Sequence, residues 1–200
     1  PDVLGARGLG DVYKRQDISS LDDLLDPKFA GTVALNGKPA EAGAAFNGYL
    51  MANQLAGGDI NNLQPGLDYF KKLKEAGNLT TVDVTNGTID SGQTGVVFDW
   101  TYNQASYKKE LKDKGVNWKY KTFPKAQVVS YYNQAINKDA PHPAAARLWE
   151  EYLYTADAQN LWFKGGANPV LLDSMKEDGT VDQATLKDLS LIHISEPTRP

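Results

Sequence analysis

The side chains in this sequence that best suit the binding of a small molecule lie in a short polar run behind an apolar one. Residues 96–98 are Val, Val and Phe, and the run that follows them contains Asp99, Trp100 and Tyr102. A carboxylate beside aromatic rings suits a cationic amine, because the charge pairs with the carboxylate and the ring faces attract the cation. The same pattern also fits a structural role, in which Asp99 caps a helix and Trp100 fills the core.

A second polar run follows the apolar residues 31–35 and includes Asn36, Lys38 and Glu41. It leads into a segment with helical spacing, so the free amides of a helix N-terminus are expected beside it. Ligands of open α/β sheets bind beyond the carboxyl ends of the strands. We therefore expect Asn36 and Glu41 to share one ligand site with the first polar run. An anion would instead use the amides and Lys38.

Two adjacent tyrosines, Tyr131 and Tyr132, lie in a segment whose β-branched and aromatic content predicts a strand over residues 128–136. Successive strand residues face opposite sides of a sheet, so only one of the two can face a cleft, and both cannot reach one metal ion. We assign Tyr132 to the candidate ligand site. Packing in the core or between lobes is the alternative role for either ring.

The residue inventory argues against an enzyme. The chain has no Cys and two His, of which His142 stands between two prolines at a helix start, and it contains no HExxH motif and no phosphate loop. No Ser-His-Asp set is recognisable, and no pair of carboxylates is singled out by its spacing. We predict no enzymatic activity, no cofactor and no metal site.

The charge balance argues against nucleic acid and anionic membranes as partners. The 21 basic and 25 acidic residues give a formal charge of −4, and no basic block is present. No apolar run approaches the roughly 20 residues that a membrane span needs. The composition is that of an ordinary globular protein.

The two ends of the chain share one DNA element. A back-translation of residues 7–16 has a reverse complement that encodes residues 189–198, and this DNA resembles a transposase-type sequencing adapter read in frame. Such segments are excluded from fold reasoning. We therefore interpret residues 1–16 and 189–200 as non-native tails, and we expect both to be poorly packed.

Strand-like and helix-like segments alternate along residues 17–188, which predicts α/β layers with a mostly parallel sheet flanked by helices. The predicted strands are residues 31–35, 79–84, 96–100, 117–123 and 128–136. The predicted helices are residues 19–27, 41–55, 63–76, 88–91, 102–114, 143–154 and a further helix from residue 155 to the glycines at 165–166.

Four segments stand in an order and at a spacing typical of one protein family. They are LDDLLDPKFAGTVA at residues 21–34, SGQTGVVFDW at 91–100, QAINKDAPHPAAA at 134–146 and LYTADAQ at 153–159. Together they resemble the type-II periplasmic solute-binding proteins of ABC importers. The resemblance is nearest to the spermidine/putrescine branch of that family and next to the iron(III) branch.

In such proteins two lobes close on a solute like a hinged trap and deliver it to a membrane permease. The resemblance implies an incomplete two-lobe protein of the type-II fold, with residues 17–125 as the second lobe and residues 126–188 as a return segment that packs on the first lobe. It implies a small solute, with a polyamine-like cation favoured, an ABC permease as partner, a periplasmic or extracellular location, and a monomer when complete. A ligand-sensing regulatory domain of the same fold and an iron(III) or anion receptor are the alternatives.

A missing first lobe has a consequence for the surface. The strand predicted at 128–136 and the helix predicted at 143–154 should expose an apolar face that the first lobe would cover. Tyr131 and Trp149 are the residues that we expect on it.

Overall fold

The computed structural model describes the backbone of residues 2–8 together with residues 18–129 and 131–190, with side chains between residues 18 and 187. The chain divides into two compact units, residues 1–129 and residues 130–200. The elements of the first unit are β1 (Asp2–Gly8), β2 (Val33–Leu35), α1 (Gly43–Leu55), α2 (Gln64–Glu75), α3 (Asn86–Asp90), β3 (Val96–Trp100), α4 (Thr101–Glu110) and β4 (Asn117–Lys121). The elements of the second unit are α5 (Pro143–Leu153), α6 (Ala156–Lys164), α7 (Leu172–Glu177) and α8 (Gln183–Ser190).

The described strands form one sheet in the order β2-β3-β1-β4. β2 pairs with β3 in parallel, and β1 pairs with both β3 and β4 in antiparallel fashion, so β2, β3 and β4 all run in the same direction. Helices alternate with these three strands along the chain and pack on the sheet. The α/β fold class with a mostly parallel sheet is therefore confirmed.

The expectation of a poorly packed N-terminal tail is wrong for residues 2–8. These residues form β1, with Val3 opposite Asp99 on one side and Arg7 opposite Trp118 on the other. Most of this strand precedes the adapter-like element at residues 7–16. Residues 9–17 and 191–200 of the two tails lie outside the described residues, so their packing stays a prediction.

Two predicted strands do not form. In the segment 79–84 only Leu79 forms a β-bridge, to Val33, and the rest is irregular. In the segment 128–136 none of the described residues lies in a strand. Both segments have the β-branched residues of a strand, but a strand also needs continuous backbone pairing with a neighbour. Segment 79–84 pairs with β2 only at Leu79, and the described residues of segment 128–136 do not pair with any described strand.

The predicted helices are present with small shifts at their ends. The helix predicted at 102–114 is divided, since α4 stops at Glu110 and a separate 3-10 turn covers Lys112–Lys114. The helix predicted at 19–27 is replaced by two 3-10 turns, Asp22–Leu25 and Pro27–Phe29, because the side chain of Asp26 caps the second turn by accepting from the amide of Lys28.

Two apolar clusters fix β3 between helices on both faces of the sheet. Phe98 packs in a cluster with Met51 of α1 and Leu73 of α2. Val97 packs in a second cluster that includes Leu111 and Trp118. This alternation follows from the period of two along a strand, and it places Asp99 on the same side of the sheet as Val97, toward α4.

One glycine sets how closely α1 approaches the end of β3. A Cβ atom on Gly48 would lie 2.9 Å from the Cβ atom of Phe98, which is closer than side chains tolerate. The absence of a side chain at Gly48 therefore lets α1 pack directly on β3. This contact holds the residues after Phe98 in place.

The second unit has its own small core, formed by Phe163, Met175 and Val181. Lys164 pairs with Asp182 at 3.0 Å, and hydrogen bonds from Thr185 and Lys164 lower the pKa of the Asp182 carboxyl to about 2. This pairing fixes the start of α8 against α6.

A broad set of apolar and aromatic side chains in the second unit is exposed. Trp149 is 61% exposed and Tyr131 is 71% exposed, as predicted from the sequence. Other exposed members of the set are Leu148, Tyr152, Tyr154, Leu161, Trp162 and Val170.

Candidate functional site

The candidate site lies where β2 and β3 end side by side. Leu35 is opposite Phe98 in the parallel pair, and the amide of Asn36 donates to the carbonyl of Phe98 at 3.2 Å. The next residue of each strand is therefore at the same edge of the sheet. This geometry brings Asn36 beside Asp99, as the sequence predicts for the carboxyl ends of neighbouring parallel strands.

Asp99 is completely buried, and its carboxylate accepts four hydrogen bonds. Oδ1 accepts from the amide of Trp100 at 2.7 Å and from Nδ2 of Asn103 at 2.9 Å. Oδ2 accepts from Nδ2 of Asn36 at 2.7 Å and from the hydroxyl of Tyr107 at 2.8 Å. All four donors are neutral groups of the protein. We call this group of residues, Asn36, Asp99, Trp100, Asn103 and Tyr107, the Asp99 cluster.

The Asp99 cluster fixes the orientation of two side-chain amides. An ionised carboxylate only accepts hydrogen bonds, so Asn36 and Asn103 must both direct their NH₂ groups toward it. Their oxygens then point away from Asp99, and neither oxygen accepts a hydrogen bond from any described residue. Asn36 and Asn103 are both partly exposed, and both lie at this end of the sheet.

The carboxylate of Asp99 also lies just before the N-terminal end of a helix, where it accepts from the amide of the N-cap residue, Trp100. β3 passes into α4 without a loop, and Trp100 is the N-cap residue of α4. The N-terminus of a helix carries the positive end of the backbone dipole and favours a negative group. Here the protein supplies that negative group itself, which makes the position less favourable for an anionic ligand.

Two aromatic rings stand beside the Asp99 cluster. The rings of Trp100 and Tyr102 are stacked, with 6.2 Å between their centroids and 13° between their planes. Both residues are partly exposed. Trp100 is therefore not a core residue, and the two ring faces are oriented alike.

A series of buried hydrogen bonds lies next to the Asp99 cluster. Trp118 donates from Nε1 to Oε1 of Gln104 at 2.8 Å, and Gln104 donates to the carbonyl of Val97 at 3.0 Å. The ring of Tyr107 packs edge-on against Trp118 at 5.9 Å. Burial and the negative charge of Asp99 raise the pKa of Tyr107 well above its usual range, so its hydroxyl stays protonated and donates.

The other two predicted site residues are not members of the Asp99 cluster. Glu41 is exposed and pairs with Lys38 at 3.2 Å. Tyr132 belongs to the second unit, where it is 78% exposed. Since residues 131–137 do not form a strand, the alternation of the two tyrosines across a sheet does not hold.

Sequence reasoning missed Tyr107 and gave no role to Asn103. Both could have been found from helical spacing, because residues 103 and 107 are four positions apart and share one face of α4, and Asp99 lies four positions before Asn103 at the end of β3. What the spacing does not reveal is that Asp99 is buried rather than presented to a ligand.

A hollow of about 190 Å³ opens elsewhere on the first unit, between α1 and residues 127–129. Its buried amide, Asn53, already bonds the carbonyls of Asp59 and Asn62 and the amide of Gly66. Both the NH₂ group and the oxygen of Asn53 are therefore held by the backbone. We therefore place the candidate site at the Asp99 cluster.

The described residues contain neither a metal-binding cluster nor a membrane-spanning helix. No group of three or more His, Cys, Asp or Glu side chains in this part of the chain is arranged to hold a metal ion. Within the same residues, no helix has both the length and the apolar character of a membrane span.

The chain belongs to the family of bacterial extracellular solute-binding proteins, whose profile it matches over residues 18–195. No curated protein is significantly similar to it in sequence.

Solved structures of periplasmic and transport proteins share its fold. The periplasmic binding protein P5PA has 20% identity and a TM-score of 0.57, over 82% of this chain and 49% of that one. The sulfate-binding protein SubI from Mycobacterium tuberculosis H37Rv has 20% identity and a TM-score of 0.60, over 97% of this chain and 61% of that one. An ABC transporter protein from Clostridium perfringens ATCC 13124 has 15% identity and a TM-score of 0.55, over 90% of this chain and 57% of that one. At these identities the likeness shows the fold alone, and the chain spans about half to three-fifths of the length of these proteins.

Proposed function

We propose that this chain is part of the solute-binding component of an ABC importer, which captures a small organic cation and delivers it to a membrane permease. Membership of the extracellular solute-binding family supports a receptor role and a periplasmic or extracellular location. Solute-binding proteins are not enzymes, and the Asp99 cluster has no activated nucleophile. The permease is the implied partner.

The two-lobe arrangement is part of this proposal. Residues 17–125, with β1, supply the second lobe, and residues 126–188 supply the segment that returns to the first lobe. The division of the chain between residues 129 and 130 supports this boundary. The exposed aromatic side chains of α5 and α6 support a partner surface for the second unit. Closure of the two lobes on the ligand is then the event that the permease recognises.

A cation is favoured over an anion by the position of the Asp99 carboxylate. It lies at the N-terminal end of α4, where a bound anion would otherwise be stabilised, and its charge would repel a second anion there. The stacked rings of Trp100 and Tyr102 offer faces that attract a cation, and such a contact contributes about 2 kcal/mol when it is desolvated. The buried carboxylate at a helix N-terminus is the observation that carries the proposal.

An anion and iron(III) are the competing ligands. Lys38, the basic residue of the polar run after β2, is already paired with Glu41. A site for iron(III) would need carboxylate or phenolate ligands brought together, and the carboxylate of Asp99 is already fully hydrogen-bonded. Both ligands are therefore less favoured than a cation.

Calorimetric titration of the two-lobe protein from the intact gene tests the proposal. We expect putrescine or spermidine to bind, with no heat from sulfate or ferric citrate. Trp100→Ala should weaken amine binding about 30-fold, since that factor corresponds to about 2 kcal/mol of aromatic contact. Leu67→Ala, which truncates an exposed side chain of α2, is the control and should change the affinity less than about twofold. Binding of sulfate or iron(III) in place of the amines would overturn the ligand class.

A further inference from the structure

The carboxylate of Asp99 has no free capacity to bind a ligand directly. Each of its oxygens already accepts two hydrogen bonds, which is the number of lone pairs that a carboxylate oxygen offers. The side chain is also completely buried. A ligand that paired with Asp99 would have to displace donors that the protein has placed at 2.7–2.9 Å.

We propose that Asp99 is a positioning residue, which acts on the ligand through Asn36 and Asn103. By accepting from Nδ2 of both side chains, it turns their amide oxygens outward as a pair of hydrogen-bond acceptors. The proposal rests on the proposed function, and it adds how the ligand is distinguished. The two oxygens select a ligand by its N–H groups, whereas the ring faces of Trp100 and Tyr102 respond to positive charge alone.

This division of roles predicts a preference that charge cannot explain. A primary ammonium group carries three N–H donors, and it satisfies both the amide oxygens and the aromatic rings. A quaternary ammonium group has the same charge and no N–H, so it interacts with the rings only. The site should therefore prefer putrescine over its quaternary analogue, 1,4-bis(trimethylammonio)butane.

The substitution Asp99→Asn tests the positioning role, because the surrounding donors determine how the new amide must lie. The backbone N–H of Trp100 cannot change its direction, so the carboxamide oxygen must take the place of Oδ1, and the NH₂ group takes the place of Oδ2. The hydroxyl of Tyr107 can rotate to accept from this NH₂. Asn36 must turn its amide over to accept from it, and it then presents its own NH₂ to the ligand. Every hydrogen bond is kept, so the fold should survive.

The measurement is the ratio of the affinities for putrescine and for its quaternary analogue, determined by calorimetry on the two-lobe protein. Asp99→Asn removes one negative charge, which lowers the affinity for both ligands alike. It also turns the amide of Asn36, so that a donor replaces an acceptor oxygen, and this change lowers the affinity for putrescine alone. We expect the ratio to fall about tenfold, the size of one lost charge-assisted hydrogen bond. Asn36→Ala removes the same acceptor while keeping the charge, and we expect a similar fall. Asp99→Asn should have no further effect on the ratio in the Asn36→Ala background.

Asp113→Asn is the matched control, because it also removes one negative charge, but at an exposed position outside the Asp99 cluster. It should leave the ratio within about twofold of the wild-type value. A ratio that is unchanged in Asp99→Asn, while the wild-type protein binds putrescine, overturns the positioning role and leaves the proposed function standing. If the wild-type protein binds neither amine, the ligand class fails and this inference fails with it.

Discussion

Deletion of residues 1–8 is expected to lower the free energy of unfolding of the first unit by about 5 kcal/mol, since each backbone hydrogen bond contributes about 0.5–1.5 kcal/mol. β1 lies between β3 and β4, and five residues of β1 pair with each neighbour. Without β1 the sheet separates into two parts, and both new edges are unpaired. Urea unfolding followed by circular dichroism measures the change.

Deletion of residues 191–200 is the control for this experiment. All but the last two of these residues are encoded by the adapter-like DNA, so their removal should leave the unfolding midpoint unchanged. If removal of residues 1–8 also leaves the midpoint unchanged, β1 is not part of the stable sheet, and the whole segment 1–16 is a passive tail as the sequence argument holds.

Substitution of Asp99 by Ala is expected to lower the free energy of unfolding by about 3–5 kcal/mol, because each buried donor left unpaired costs about 1–3 kcal/mol. The substitution leaves Asn36, Asn103, Tyr107 and the amide of Trp100 without their common acceptor. Water can reach the partly exposed asparagines, so the loss in the free energy of unfolding should be smaller than the cost of four fully buried, unpaired donors. Chemical denaturation of the 200-residue chain measures the change.

Asp113→Ala, at an exposed aspartate in a 3-10 turn, is the control and should change stability by no more than about 0.5 kcal/mol. Asp99→Asn should lie much closer to the wild type than Asp99→Ala, because the carboxamide keeps the hydrogen bonds by reorienting its partners. A loss below about 1 kcal/mol for Asp99→Ala would mean that the cluster does not form, since one buried donor alone costs that much.

The location of the candidate site could be predicted from local sequence. Residues 96–100 form a strand with a polar end because three apolar β-formers precede Asp99, and the start of α4 follows at once. Neighbouring parallel strands end at one edge of a sheet, and this rule correctly predicted that Asn36 lies beside Asp99. These features depend on residues that are near in sequence or on a general property of α/β sheets.

The burial of Asp99 could not be predicted in the same way. Asn36 is 63 residues from Asp99 along the chain, and its amide becomes a donor only because β2 and β3 pair in one register. The support from Trp118 through Gln104 requires β4 to lie under α4. A pattern of charged and aromatic residues therefore shows where a site is, while the direction of each hydrogen bond depends on tertiary packing.

Strand prediction failed where pairing partners, rather than propensity, decide the outcome. Residues 2–8 contain two glycines and an alanine, which are weak strand formers, yet they form β1 between two neighbours. Residues 128–136 are rich in strand formers, and their described part is irregular. The exposure of Tyr131 and Trp149 was predicted from the resemblance to two-lobed receptors, and it is confirmed in the second unit.

A crystal structure of the two-lobe protein with putrescine would test the central claim most directly. We expect an ammonium nitrogen at hydrogen-bond distance, about 2.9 Å, from the side-chain oxygens of Asn36 and Asn103, against the faces of Trp100 and Tyr102. Asp99 should keep its four protein donors and should not touch the ligand. A putrescine molecule bound away from the ends of β2 and β3, or bonded directly to the Asp99 carboxylate, would contradict the account.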